Sequence, residues 1–209
     1  MDFLITVISA YLIGSVPTAV WVGRYFYNLD LREHGSKNAG ATNTFRVLGK
    51  KPGIIVLVVD VLKGAGASCV PYLLINNWQF YHEELINLQV VASIGAVFGH
   101  IFPIFAQFRG GKGVATSLGV IIGIQPLAAL ICLAVFLVVF ISSRFVSLGA
   151  ITAAVFFPFI VRFVICEKSM TLFIFSLVLS FLVIIAHRKN IVRLLKGSEN
   201  KMNLFKKGT

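Results

Sequence analysis

The chain has 209 residues, 57% hydrophobic and 13% charged, with a mean hydropathy of +0.89. That balance excludes a soluble globular domain and puts residues 1–209 in the membrane class, as one polytopic domain. The net charge of +11 would point to nucleic acid in a soluble protein, but the basic residues cluster in short connections, so an anionic membrane surface is the expected partner and nucleic acid is not. Cys69, Cys132 and Cys166 lie in or at the ends of apolar runs without metal-ligand spacing. They read as packing residues, and neither a metal nor a cofactor is expected.

The first apolar run, residues 3–25, is long enough to span a bilayer, and Gly14-Ser15-Val16-Pro17 predicts a kink within it. Met1-Asp2 lacks a basic n-region, so this span is expected to remain in the mature protein. Behind it Arg24, Arg32, Lys37, Arg46, Lys50 and Lys51 outnumber Asp30 and Glu33, which predicts an outside N-terminus and a cytoplasmic loop. The second span, about 53–75, holds Asp60 and Lys63 one helical turn apart. Charges at that depth are either functional or paired toward the protein interior, and these two read as a structural ion pair near the site. The patch from Gly64 to Ser68 permits close helix packing.

The loop from Asn76 to Gln89, with Glu83 and Glu84 and no Lys or Arg, belongs outside. A third span, about 90–106, carries Gly99-His100 and Pro103 toward Phe108-Arg109-Gly110-Gly111-Lys112-Gly113-Val114-Ala115-Thr116. In that stretch the glycines let backbone N–H groups turn toward an anion at the positive end of the helix that follows. Lys112 adds a point charge and Arg109 a planar fork. The stretch is either a phosphate cradle or a basic flank of a membrane helix. It is not a nucleotide-triphosphatase loop, because Ala106 stands where that motif needs glycine and Gly113 where it needs Ser or Thr.

Gln125-Pro126 divides residues 114–141 into two short helices, and spans follow at about 146–165 and 170–187. The tail carries Arg188, Lys189, Arg193, Lys196, Lys201, Lys206 and Lys207 against Glu199, so it belongs inside. The expected fold is an all-α integral membrane protein of seven transmembrane helices, two of them short, with the N-terminus outside and the C-terminus cytoplasmic. That topology brings five segments to one cytoplasmic face. Arg162 reads as a snorkelling residue near the outer end of its helix, and the alternation from Ile191 to Lys196 as a short helix on the inner leaflet. The last dozen residues suggest no function of their own.

The loop from Leu31 to Lys51 is dense in small hydrogen-bonding side chains, with Asn43 and Arg46 on one face if 39–48 is helical. Gly14-Ser15-Val16-Pro17, the run Gly35-Ser36-Lys37-Asn38-Ala39-Gly40-Ala41-Thr42-Asn43, Gly99-His100 with the glycine-rich loop, Arg144-Phe145-Val146-Ser147-Leu148, and His187-Arg188-Lys189-Asn190-Ile191 occur in that order. Together they resemble the bacterial acyl-phosphate-dependent glycerol-3-phosphate acyltransferases, the PlsY family, over essentially the whole chain.

The resemblance implies a multi-pass enzyme of the bacterial inner membrane, with its active site facing the cytoplasm. It would transfer a fatty acyl group from acyl phosphate to the 1-hydroxyl of glycerol 3-phosphate, giving lysophosphatidic acid and phosphate, the first step of phospholipid synthesis. Its partners would be those two substrates and membrane lipid, with a metabolic link to the enzyme that forms acyl phosphate. Carried over by motif, Ser36, Lys112 and His187 are the expected catalytic residues. Arg46, Asn43, His100, Arg109, Gly110, Gly111, Gly113, Arg144, Ser147 and Asn190 are the expected substrate-binding residues.

An acyl phosphate already has a good leaving group, so positioning the hydroxyl and stabilising charge on the departing phosphate suffice. None of His34, His82, His100 and His187 is followed five residues later by Asp, the pattern of the common glycerolipid acyltransferases. Direct attack without an acyl-enzyme is therefore expected, with Lys112 and the loop amides on one phosphate, Arg46 on the other, and Ser36 and Asn190 orienting carbonyl or hydroxyl. The proton passes to a substrate phosphate or to His187. The alternative is a membrane transporter for organic phosphates, which predicts an internal repeat and midplane charges. The two halves of the sequence show no such repeat.

Overall fold

The computed structural model describes residues 2–74 and 82–202. Residues 76–81 of the expected outer loop, and Lys206 and Lys207 of the tail, lie outside the described residues. Every regular element among the described residues is helical. They divide into two compact units, the first ending at Pro126 and the second beginning at Leu127.

In the first unit α1 (Asp2–Gly14) and α2 (Thr18–Tyr27) form one 26-residue span broken at Ser15-Val16-Pro17. Pro17 has no N–H to continue the ladder, and the chain resumes helix with Thr18. Asn28 closes α2 in the left-handed conformation, returning its N–H to the Gly23 carbonyl. The segment from Leu29 to Gly40 is pinned rather than loose: Leu31 is fully buried in a cluster with Ala19 of α2 and Val56. α3 (Ala41–Leu48) follows, starting two residues later than the sequence pattern indicates because extended Gly40 caps it. α4 (Lys50–Leu74) is the longest helix described and packs against α1, α3, α5 and α6.

α5 (His82–Ile101) begins earlier than the expected residue 90, with Glu83 and Glu84 in a first turn whose positive end favours them. After a 3₁₀ turn at Ile104–Ala106, the glycine-rich loop leads to α6 (Val114–Ile124). α6 and α4 meet backbone to backbone, since a Cβ on Gly64 would overlap the Thr116 carbonyl and one on Gly119 the Val61 carbonyl. The small-residue patch read in the sequence has that use.

The second unit contains α7 (Pro126–Ser143), α8 (Val146–Phe159), α9 (Met170–Ala186) and α10 (Arg188–Leu195). Pro158 removes a ladder bond near the end of α8, and the chain widens into a π turn at Ile160–Val164. Within that turn the exposed Arg162 donates to the Glu167 carbonyl at 3.0 Å. α10 is bent 61° from α9, as a short amphipathic helix after the last span should be.

Among the described residues five spans are long and apolar enough to cross a bilayer, and six if the bent α9–α10 pair counts as one. Of the two short helices expected on either side of Gln125, α7 reaches spanning length with 18 residues, whereas α6 has 11. Apolar side chains such as Ile54, Leu62, Leu130, Val138 and Phe181 are exposed, while Asp60, Lys63 and His100 are buried. That inversion of the soluble pattern suits a lipid surround.

Candidate active site

The first unit places Ser36, Asn43, Arg46, His100 and the glycine-rich loop. Ser36 is exposed on the loop ahead of α3, between Gly35 and Lys37, which have φ of +59° and +58°. Asn43 holds that loop in shape. Its Nδ2 donates to the carbonyls of Leu31 at 2.9 Å and His34 at 3.0 Å, and its Oδ1 accepts the Ser36 N–H at 2.8 Å. Asn43 is thus buried, while Arg46, three residues on, is exposed, so the two do not share a surface.

A second tie was not legible as such. Asp30 accepts hydrogen bonds from Arg24 at 2.8 Å and from Arg32, whose Nη1 also donates to the Ala106 carbonyl at 2.8 Å. This links the Ser36 loop to the 3₁₀ turn before the glycine-rich loop. The Arg32 guanidinium holds the Asp30 carboxyl well below the usual carboxylate range, and Asp30 in turn raises Arg32. In the sequence Arg32 is one basic residue among six, with no local pattern to mark it.

The glycine-rich loop folds back on the end of α5. Gly110 N–H donates to the Ile101 carbonyl at 3.2 Å and Gly111 N–H to the His100 carbonyl at 3.1 Å. Those two amides satisfy otherwise orphaned helix-end carbonyls, so they do not turn toward an anion as expected from the glycine spacing. What the loop presents instead is Lys112, half-buried, and the first turn of α6. Gly113 makes that turn at φ +80°, a conformation that favours glycine, and its carbonyl accepts the Ser117 N–H at 2.6 Å. Arg109 is exposed and His100 buried.

Asp60 and Lys63 form the pair their spacing predicts, Nζ to Oδ1 at 2.8 Å, both buried. Thr18 Oγ1 donates to the same carboxylate oxygen at 3.2 Å, and Lys63 Nζ donates to the Val16 carbonyl at 2.8 Å.

In the second unit Glu199 gathers three side chains. Oε1 accepts from Asn190 Nδ2 at 2.7 Å and from Ser147 Oγ at 3.0 Å, and Oε2 accepts from Arg193 Nε at 2.7 Å. Burial pushes this carboxyl up, but the three hydrogen bonds outweigh it and hold it below its ordinary value. Ser147 starts α8 and Asn190 lies on α10, so the tail carboxylate joins two of the expected site segments. The only hint in the sequence is that Glu199 is the lone acid in a basic tail. Arg144, exposed and at φ +63°, gives its carbonyl to the Met202 N–H at 2.9 Å.

His187 is buried, at the 61° bend between α9 and α10. Its Nδ1 lies 2.8 Å from the Val183 carbonyl, which can only accept, so Nδ1 is the donor of that bond. Among the described residues no group of three or more His, Cys, Asp or Glu could hold a metal ion.

The family model described as glycerol-3-phosphate acyltransferase matches residues 4–197. A glycerol-3-phosphate acyltransferase of Fusobacterium nucleatum subsp. nucleatum is 42% identical over 96% of this chain and 98% of its own. One of Salinibacter ruber is 42% identical over 96% and 93%. Among solved structures, the integral membrane glycerol 3-phosphate acyltransferase PlsY in its glycerol 3-phosphate form superposes with a TM-score of 0.86 at 35% identity, covering 99% of this chain and 100% of that one. Its lysophosphatidic acid form gives 0.83 at 35% identity, covering 97% and 96%. With the motif order, the helical spans and these matches in agreement over nearly its full length, the chain belongs to the PlsY family of integral membrane glycerol-3-phosphate acyltransferases.

Proposed function

We propose that the protein transfers a fatty acyl group from acyl phosphate to the 1-hydroxyl of glycerol 3-phosphate, releasing lysophosphatidic acid and inorganic phosphate. The observation that carries this reading is the full-length likeness to PlsY in two forms, one with the acyl acceptor and one with its acylated product. The donor follows from the motif resemblance. It suits a site whose expected residues offer cations and neutral donors.

In this reading the 1-hydroxyl oxygen attacks the acyl carbonyl, the bond from that carbonyl to the phosphate oxygen breaks, and phosphate leaves with the electron pair. Lys112 and the first turn of α6 stabilise one phosphate and Arg46 the other. Ser36 and Asn190 orient the carbonyl or hydroxyl, and the hydroxyl proton passes to a substrate phosphate or to His187. Ser147 and Arg144 support the Asn190 segment, Asn43 supports Ser36, and Arg109 with Gly113 shapes the approach to Lys112. The proposed enzyme is one domain of seven spans in the bacterial inner membrane, with the N-terminus outside and the C-terminus and site facing the cytoplasm. The basic segments after α2 and α10 support that orientation.

The test is phosphate release by the purified full-length protein in lipid, with palmitoyl phosphate and glycerol 3-phosphate, beside a palmitoyl-CoA control. Release should need both substrates, and no CoA should appear. Lys112→Ala should lower kcat/KM for the substrate whose phosphate it holds by about 10²–10³-fold, the scale for removing one charge-assisted donor. Turnover with palmitoyl-CoA alone, or full activity in Lys112→Ala, defeats the reading. Trapping a covalent acyl-enzyme defeats the direct-attack step.

A further inference from the structure

The Asp60–Lys63 pair does not end at itself. Asp60 Oδ1 accepts from Thr18 and pairs with Lys63, and the His100 Nδ1 lies 3.7 Å from the same oxygen. Lys63 reaches the Val16 carbonyl in the break between α1 and α2, so a single carboxylate gathers the helix break, α4 and the end of α5. On its other side the His100 ring is pressed against the glycine-rich loop. A Cβ on Gly111 would overlap His100 Nε2, and one on Gly110 would overlap the His100 carbonyl. That carbonyl also accepts the Gly111 N–H at 3.1 Å. A small cavity lined by Thr18, Asp60, Lys63 and His100 opens onto Gly110 and Gly111, the residues just before Lys112.

Packing alone is a poor reason for this arrangement. Taking two charges out of water is costly, and apolar side chains of similar volume fill such space as well or better. What apolar side chains cannot do is hold a carboxylate beside the His100 Nδ1, which has no hydrogen-bond partner of its own among the described residues, while bonding the helix break through Thr18 and the Val16 carbonyl.

We propose that Asp60, Lys63 and Thr18 form a positioning network that sets the His100 ring and carbonyl, and through them the Gly110–Gly111 seat that aims Lys112 at substrate phosphate. The proposal rests on the phosphate role given above to the glycine-rich loop. In it His100 is a positioning residue, holding the loop from beneath. Asp60 and Lys63 touch no substrate.

The experiment compares wild type with Thr18→Val, Asp60→Asn, Lys63→Met and the charge-neutral double variant Asp60→Asn/Lys63→Met, as full-length protein in lipid. Two readouts are taken: amide hydrogen exchange of the segment 108–113, and KM and kcat for each substrate. Thr18→Val removes one hydrogen bond at constant shape, and the double variant avoids a lone buried charge, so at least these two should fold. The expected result is faster exchange confined to 108–113. KM for one phosphate-bearing substrate should rise about tenfold in the double variant, with kcat changed less, the scale for a sub-ångström misplacement. Thr18→Val should show the same split at smaller size.

Unchanged loop exchange in folded variants overturns the proposal, as does exchange that rises equally throughout the molecule. So does a faster-exchanging loop with unchanged KM, when Lys112→Ala does raise KM. If Lys112→Ala also leaves both KM values unchanged, the phosphate role of the loop is what fails. The exchange result then still decides whether the network holds the loop.

Discussion

The two units secure their site segments by opposite means. In the first, the glycine-rich loop is tied to the end of its own preceding helix by backbone bonds from Gly110 and Gly111, over a carboxylate buried within α4. In the second, Ser147 and Asn190 are joined by a carboxylate that arrives from the tail, 52 residues after Ser147. The first arrangement is built into the spans. The second depends on a segment beyond the last helix, outside the apolar runs, where solvent and acid can reach it.

The contrast is tested hardest at Glu199. Glu199→Ala removes the acceptor for three side chains and should cost about 2 kcal/mol or more of stability. Turnover should fall by about 10²-fold, because Asn190 loses its orientation. Truncation after Gly197 should reproduce that loss in a phosphate-release assay. A truncated protein with normal turnover would show that the tail carboxylate is dispensable.

The matching change in the first unit is Asn43→Ala, which removes three hydrogen bonds from the Ser36 loop. A loss of about tenfold in kcat/KM is expected, about 1.4 kcal/mol out of the roughly 3 kcal/mol that three bonds at about 1 kcal/mol each carry. The variant should remain folded by thermal unfolding, since Leu31 and its apolar cluster still anchor the segment.

Acid sharpens the comparison further. The folded Asp30 carboxyl sits below its ordinary 3.8, so its contribution to stability is fully present above that value and is lost as pH falls through the folded one. Glu199 follows the same sign from its ordinary 4.5. Unfolding midpoints in detergent should therefore fall below about pH 4, and Asp30→Asn should flatten part of that fall. An unchanged acid limb in Asp30→Asn would remove the Asp30–Arg32 tie from the account. At the small end, Arg162→Gln breaks one exposed bond to the Glu167 carbonyl and should shift stability by no more than about 0.5 kcal/mol.

Much of this was legible in the sequence because it is local. Pro17 marks the helix break, Pro126 the division of the long apolar run, and the three-residue spacing of Asp60 and Lys63 their pairing. The motifs named the segments proposed here to form the site. What escaped has no local period. The Arg32 bond to the Ala106 carbonyl spans 74 residues and Glu199 to Ser147 spans 52, so neither leaves a signature in any window of sequence. The glycine-rich loop escaped for another reason. Its composition permits amides facing an anion, but the end of α5 has unsatisfied carbonyls of its own and takes the Gly110 and Gly111 donors first.

The backbone contact between α4 and α6 has one more consequence. A helix of 11 residues is about 16 Å long, half the thickness of a hydrocarbon core, and free in lipid it would tilt or slide to suit the bilayer around it. Gly64 and Gly119 interlock the two backbones like teeth, so α6 cannot ride up or down α4 without a clash of main chain on main chain. The height of Lys112 is thereby gauged against the 25 residues of α4 rather than against the lipid. Thinner and thicker membranes meet the same ruler.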